Sequence, residues 1–248
     1  MKTKHLAAPL LGALLACSAP GQAAINVDRT RIIMGAAQKS VSVVLTNESA
    51  DIPYLAQSWI EDQDGNITND LLALPPLQRI DAGKKAQVRI AQMSAAARAR
   101  LPQDRESLFY FNVREIPPAP KDKDASILQL TTQSQIKLFL RPAELAERGE
   151  AVPEQTLQAR TDGHTLTLKN ASPYYVTVLW LGTDRKQRLP GFDTPVMLAP
   201  RSEQTLKAVL PASAGQLMLG NVDDYGGLRM NRYRCEAGLC VFQERTGD

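Results

Sequence analysis

Short runs of alternating and β-branched residues recur along this chain, punctuated by turn residues, with no long helical period between them. Lys39-Ser40-Val41-Ser42-Val43-Val44-Leu45-Thr46-Asn47 alternates loosely, Pro53-Tyr54-Leu55-Ala56-Gln57-Ser58-Trp59-Ile60 follows, and Asp64-Gly65-Asn66 reads as the turn after it. Strand, turn and strand at this spacing predict an antiparallel sandwich, because alternate side chains leave opposite faces of a strand and tight turns return the chain to its neighbour. Further runs at residues 85–90, 107–113 and 127–140 supply enough strands for one immunoglobulin-like domain ending near Arg141-Pro142. Pro142 cannot continue a central strand, and the charged, helix-tolerant residues 143–150 read as a linker. The pattern then restarts at 163–169, 174–180 and 203–207 and closes on a hairpin carrying Cys235 and Cys240. The expected architecture is all-β, with two sandwiches at residues 24–142 and 151–248.

The N-terminus has another character. Met1-Lys2-Thr3-Lys4-His5 is basic, residues 6–16 are apolar, and small residues follow up to Ala23. This is the form of a secretory signal, too short to span a bilayer, with cleavage expected after Ala23. Leu14-Leu15-Ala16-Cys17 also resembles a lipoprotein box, which would leave Cys17 lipidated as the first mature residue; a stray cysteine in the apolar stretch is the simpler account. Removing residues 1–23 takes away Lys2 and Lys4, so the formal charge falls from +3 to +1. A nearly neutral mature chain carries no electrostatic footprint for nucleic acid. Cys17 leaves with the signal, and the even pair Cys235 and Cys240 in an exported chain reads as a disulfide.

The residues that catalysis needs are missing from the pattern. His164 is the only histidine after processing, with no second base near it in sequence, which argues against triad hydrolysis. Two cysteines and one histidine fall short of the four ligands of a closed zinc site. Asp62-Gln63-Asp64-Gly65-Asn66 has a passing likeness to a calcium loop, but the ligand spacing is absent and an Asp-Gly turn accounts for it. The expectation is a protein that is not an enzyme and takes no metal, cofactor or small-molecule substrate.

Several segments, in order and spanning the mature chain, carry a resemblance to a known family. They include Asp28-Arg29-Thr30-Arg31, Pro75-Pro76-Leu77-Gln78-Arg79-Ile80-Asp81, Arg105-Glu106-Ser107-Leu108-Phe109-Tyr110-Phe111-Asn112, Ile136-Lys137-Leu138-Phe139-Leu140-Arg141-Pro142, Pro173-Tyr174-Tyr175-Val176-Thr177 and Asp224-Tyr225-Gly226-Gly227. Together they resemble the periplasmic pilus chaperones, the PapD-like family. The resemblance implies two immunoglobulin-like sandwiches set in an L, a periplasmic location, and pilin subunits bound in the cleft and delivered to an outer-membrane usher. Residues 117–124, short and rich in proline and charge, resemble the short-loop branch of that family. A pilus subunit or adhesin is the alternative, but a subunit would carry its own N-terminal donor extension, whereas Asp28-Arg29-Thr30-Arg31 follows almost at once after Ala23.

What the resemblance implies for single residues is specific. A chaperone of this family lends a strand to a pilin that lacks one, so that main-chain bonds pair the two and alternate side chains fill pockets in the partner. The matching strand is residues 127–140, with Leu128, Leu130 and Thr132 as donated residues. Pattern alone leaves open whether that face meets a partner or this protein's own core. Thr132 stands where the family's type member has a larger apolar residue. Arg31 and Lys137, which in isolation read as solvated surface, match the two cleft cations that hold a subunit's C-terminal carboxylate. Lys137 has the opposite parity to Leu128 and Leu130, so a bulge or strong twist is expected between them. Glu106, Arg141 and Asp224 match a network bracing the two domains, and a free donor edge implies self-association when the chaperone is empty.

Overall fold

The computed structural model describes residues 24–92, 96, 99–119, 129–146 and 151–247. The expected signal with Cys17 and Ala23, residues 120–128 and the second half of the expected linker, 147–150, lie outside the described residues. The chain forms two β domains, and the first half of the expected linker is a one-turn helix, Ala143–Ala146, whose Leu145 packs with Ala151 and Tyr174.

The first domain contains β1 (Ile25–Val27), β2 (Arg31–Gly35), β3 (Ser40–Asn47), β4 (Tyr54–Asp62), β5 (Leu71–Leu74), β6 (Leu77–Ile80), β7 (Lys85–Gln92), β8 (Ser107–Ile116) and β9 (Gln133–Arg141). They make two sheets, ordered β1-β3-β7-β5 and β2-β9-β8-β4-β6. Alternation decides what each sheet buries: Val43 and Leu45 of β3 and Val88 and Ile90 of β7 meet Ile60 of β4, Phe109 and Phe111 of β8 and Leu138 of β9. The chain leaves one sheet at Val27 and enters the other at Arg31, which makes Arg31 the first residue of edge strand β2. Strands this short carry too few alternations to be read from sequence, and β1, β2, β5 and β6 were not expected from the pattern.

The second domain contains β10 (Leu157–Thr161), β11 (Leu166–Asn170), β12 (Val176–Gly182), β13 (Val196–Leu198), β14 (Ser202–Leu206), β15 (Gln216–Val222), β16 (Leu228–Glu236) and β17 (Leu239–Arg245). They join in one sheet, ordered β13-β12-β15-β16-β17-β10-β11-β14. Its core draws Val176, Val178 and Leu219 from one half of that order and Leu157, Leu166 and Leu168 from the other, so the sheet folds over on itself as a sandwich. Cys235 and Cys240 face each other across β16 and β17 and form a disulfide.

Both domains use a fully buried asparagine to hold the loop before a core strand. Asn47 Nδ2 donates to Ile52 O and Ile80 O at 2.9 and 3.0 Å, and Asn170 Nδ2 to Tyr174 O and Ala199 O at 2.7 and 2.9 Å. A buried amide with its donors satisfied fixes the loop, whereas an unsatisfied one would cost more than it contributes. The loop at Asn170 matters for the site, because it carries Pro173, Tyr174 and Tyr175 to the junction with the first domain.

Candidate functional site

Parallel pairing of β2 with β9 sets Arg31 directly beside Lys137, Ile32 beside Leu138 and Gly35 beside Arg141. Ile32 and Leu138 point into the core, so the pleat turns Arg31 and Lys137 the other way, toward the second domain. There, Arg31 Nη1 donates a long bond of 3.4 Å to Val222 O, and Lys137 Nζ donates to Thr177 Oγ1 at 3.2 Å. Arg31 Nε is buried with no hydrogen-bond partner, and among the described residues neither cation forms an ion pair. Burial holds the Arg31 guanidinium below its ordinary pKa although Asp223, Asp224 and Glu106 act against the shift. Burial, and then the charge of Arg31, likewise lowers the Lys137 ammonium. Two partly desolvated cations side by side, weakly bonded to neutral oxygens, are short of an anion.

The expected strand at 127–140 is shorter in the fold: β9 begins only at Gln133. Leu128 lies outside the described residues, while Leu130 and Thr132 precede the strand, both exposed, Leu130 to 75%. The reason is a lack of partners. Pairing with β8 stops at Arg114↔Gln133, after which a single bond, Glu115 N to Thr132 O at 3.1 Å, remains. On the other edge β2 pairs only from Lys137 onward, so among the described residues 133–136 have no strand on that side.

No bulge interrupts the β8–β9 register from Gln133 to Leu140, and the rest of the stretch where a bulge or strong twist was expected lies upstream of that pairing. One face of β9 instead changes use along its length. Leu138 and Leu140 enter the protein's own core at 0% and 5% exposure, while Ser134 and Ile136 line a slot of ≈ 370 Å³ against residues 26–30. Lys137 sits on the opposite face with Phe139, which meets the second domain at Tyr175, ring centroids 5.5 Å apart.

One turn beyond the cations, Glu106, Arg141 and Asp224 come together between the domains. Arg141 Nε and Nη2 donate to Glu106 Oε1 at 3.0 and 2.8 Å, and its Nη1 and Nη2 donate to Asp224 Oδ2 and Oδ1 at 2.9 and 3.0 Å. Glu106 Oε2 accepts Tyr175 N at 2.8 Å, and Glu106 N donates to Pro173 O at 2.9 Å. The Arg141 guanidinium also lies 4.9 Å over the Tyr174 ring. Burial pushes the Glu106 carboxyl above the usual carboxylate range, with Arg141 pulling against it. Arg201, at φ 53°, adds a pair to Asp104 from across the junction. Tyr174, Tyr175 and Arg201 had no role assigned from sequence; the only available signal was the Pro173-Tyr174-Tyr175 segment within the resemblance.

Tandem immunoglobulin-like sandwiches locked at a charged junction, with a strand edge that has no neighbouring strand and runs up to two cations without an ion pair among the described residues, define a binding protein of the edge-presenting kind. Residues 24–146 match the family model described as "Pili and flagellar-assembly chaperone, PapD N-terminal domain", and residues 153–233 match "Pili assembly chaperone PapD, C-terminal domain". The chain belongs to the PapD-like family of pilus-assembly chaperones and is not an enzyme. It is 46% identical over 232 residues to the "Uncharacterized fimbrial chaperone YbgP" of Escherichia coli K12, covering 93% of this chain and 94% of that one. It is 41% identical over 220 residues to the "Chaperone protein PapD" of Escherichia coli, covering 88% and 89%. Among solved structures, the periplasmic chaperone SfaE superposes with a TM-score of 0.64 at 32% identity, over 84% of this chain and 98% of that one.

Proposed function

We propose that this periplasmic chaperone captures pilin subunits by extending its own sheet with a strand of the subunit and holding that strand's C-terminal carboxylate between Arg31 and Lys137. The observation that carries the reading is the coincidence of two features. Among the described residues the edge of β9 has no neighbouring strand upstream of Lys137, and a cation pair without an ion-pair partner stands where that edge ends. A strand entering in line with β2 would pair with residues 133–136 and bring its terminus to the cations. Arg31 offers a planar fork and Lys137 a compact charge, so one carboxylate accepts from both and fixes the register of the added strand. Upstream, Leu128, Leu130 and Thr132 fill pockets of the subunit that its own missing strand leaves open. The captured subunit passes to an outer-membrane usher, and two empty chaperones cover their free edges by pairing with each other. The mature chain begins after Ala23, and residues 143–150 link the two domains.

Co-purification of a subunit from periplasm with Arg31→Ala and Lys137→Ala tests this. Each change removes a charge-assisted bond worth about 1.5 to 3 kcal/mol, so subunit recovery should correspond to binding weakened about ten- to a hundredfold. Melting temperature of the empty chaperone should hold, since neither cation has an ion-pair partner to lose among the described residues. Undiminished capture by both variants would mean that the carboxylate is held elsewhere. Loss of fold along with capture would make the two a structural pair.

A further inference from the structure

The turn joining β15 to β16 carries at its tip an aromatic side chain for which the fold has no use. Tyr225 is 85% exposed. The turn that displays it is anything but loose. The buried Asp223 carboxylate accepts Tyr225 N at 3.0 Å, Gly227 N at 2.7 Å and Arg229 Nε at 2.7 Å, and the next residue, Asp224, is gripped by Arg141. Gly226 takes a left-handed φ of 89°, and a Cβ there would lie 2.5 Å from Thr30 Oγ1, so only glycine lets the tip approach the first domain this closely. Val222, just before the turn, supplies the carbonyl to which Arg31 donates.

These contacts fix the backbone from which Tyr225 projects. Thr30 immediately precedes the cation Arg31 and lines the slot that Ser134 and Ile136 form along the free edge of β9. The turn is pressed against Thr30 at Gly226 and bonded to Arg31 through Val222 O, and Arg31 pairs with Lys137, so the turn stands beside the cations. We propose that Tyr225 is a specificity-determining contact, its ring packing on the subunit side chains that immediately precede the carboxylate. This rests on the capture reading above and adds to it a contact made from the second domain to the subunit residues beside the carboxylate. Tyrosine suits the task because it offers a large amphipathic face with few rotatable bonds. The clamped backbone means that little further freedom is lost on binding. Being exposed, the ring contributes little to the empty chaperone's stability, so its removal separates recognition from folding.

The test uses the full mature chaperone and a synthetic peptide with the C-terminal sequence of a pilin subunit encoded alongside it, as the free acid and as the C-terminal amide. Tyr225→Ala should weaken binding of the free acid about tenfold with no change in melting temperature, while Tyr225→Phe should bind within about twofold of the unaltered protein. Alanine placed in the peptide beside the carboxylate should weaken binding to the unaltered protein and add little further loss in Tyr225→Ala, the sign of a direct pair. If Tyr225→Ala binds as tightly as the unaltered protein while Arg31→Ala does not, the Tyr225 assignment is overturned and capture stands. A fall in melting temperature accompanying the loss would also overturn it, making Tyr225 structural. If the amide binds as well as the acid and Arg31→Ala binds fully, the capture reading itself fails.

Discussion

Arg31 and Lys137 are ordinary surface cations by composition, and what sets them apart is shared burial without an ion-pair partner among the described residues. The consequence is a pH dependence that can be signed. Lys137 titrates below the ordinary lysine value of 10.5 in the folded protein, because burial and the Arg31 charge disfavour its ammonium. The unfolded chain then holds more protons in the interval between the two values, so the empty chaperone gains stability as pH rises through it. A bound carboxylate favours the ammonium, and binding in that interval takes up a proton. Affinity for a carboxylate-terminated subunit peptide should therefore be level near neutrality and fall as pH rises, with the fall beginning below the range of an exposed lysine. Lys137→Arg should flatten the profile, since arginine stays charged. Titration calorimetry across the alkaline range checks both, and a flat profile for the unaltered protein would detach Lys137 from the carboxylate.

At the scale of the element, β9 shows why a strand's extent is harder to read than its existence. The alternation over 127–140 is plain in the sequence, yet among the described residues of that stretch the strand forms only from Gln133 on, where β8 and then β2 supply hydrogen bonds. Its apolar face is divided by the same limit: Leu138 and Leu140 are buried in the core under the opposing sheet, while Leu130 is exposed. Leu130→Glu should therefore leave melting temperature unchanged while opposing burial in a subunit pocket. An apolar contact of that size is worth about 1.5 to 3 kcal/mol, so capture should weaken about tenfold or more. Self-association, followed by sedimentation, should weaken with it. Capture unaffected by Leu130→Glu would remove the donated-strand assignment.

Across the whole molecule, a buried polar network joins the domains beside the stacking of Phe139 on Tyr175 and the packing of Leu145 with Tyr174. Arg141 and Glu106 have side chains only 5% and 2% exposed, and Asp224 brings a third charge from the second domain. Such a network fixes geometry more than it adds stability, because each ion gives up its hydration. Breaking it is costly all the same. Arg141→Ala should lose about 3 kcal/mol by denaturant unfolding, since two carboxylates are left without their cation. The domain angle, followed by small-angle scattering, should broaden in the same variant. A loss within about 0.5 kcal/mol would mean that the junction is wet and the network contributes little.

The sequence by itself determined the class of fold. Alternation in residues 39–47, 53–60 and 107–113, with Pro142 and the charged stretch after it, was enough for two all-β domains, because a period of two is a local property of each strand. The disulfide was legible from an even cysteine count in a chain with a signal-like start. The functional residues were visible only through family resemblance, since a lone Arg31 or Glu106 carries no pattern of its own. Tertiary structure decided which of them meet. Arg31 reaches Lys137 only because β2 enters the second sheet parallel to β9, and Arg141 reaches Asp224 only because the turn after β15 is folded against Thr30. Those contacts join residues far apart in the chain, and no local periodicity records a pairing that exists only once both sheets have closed.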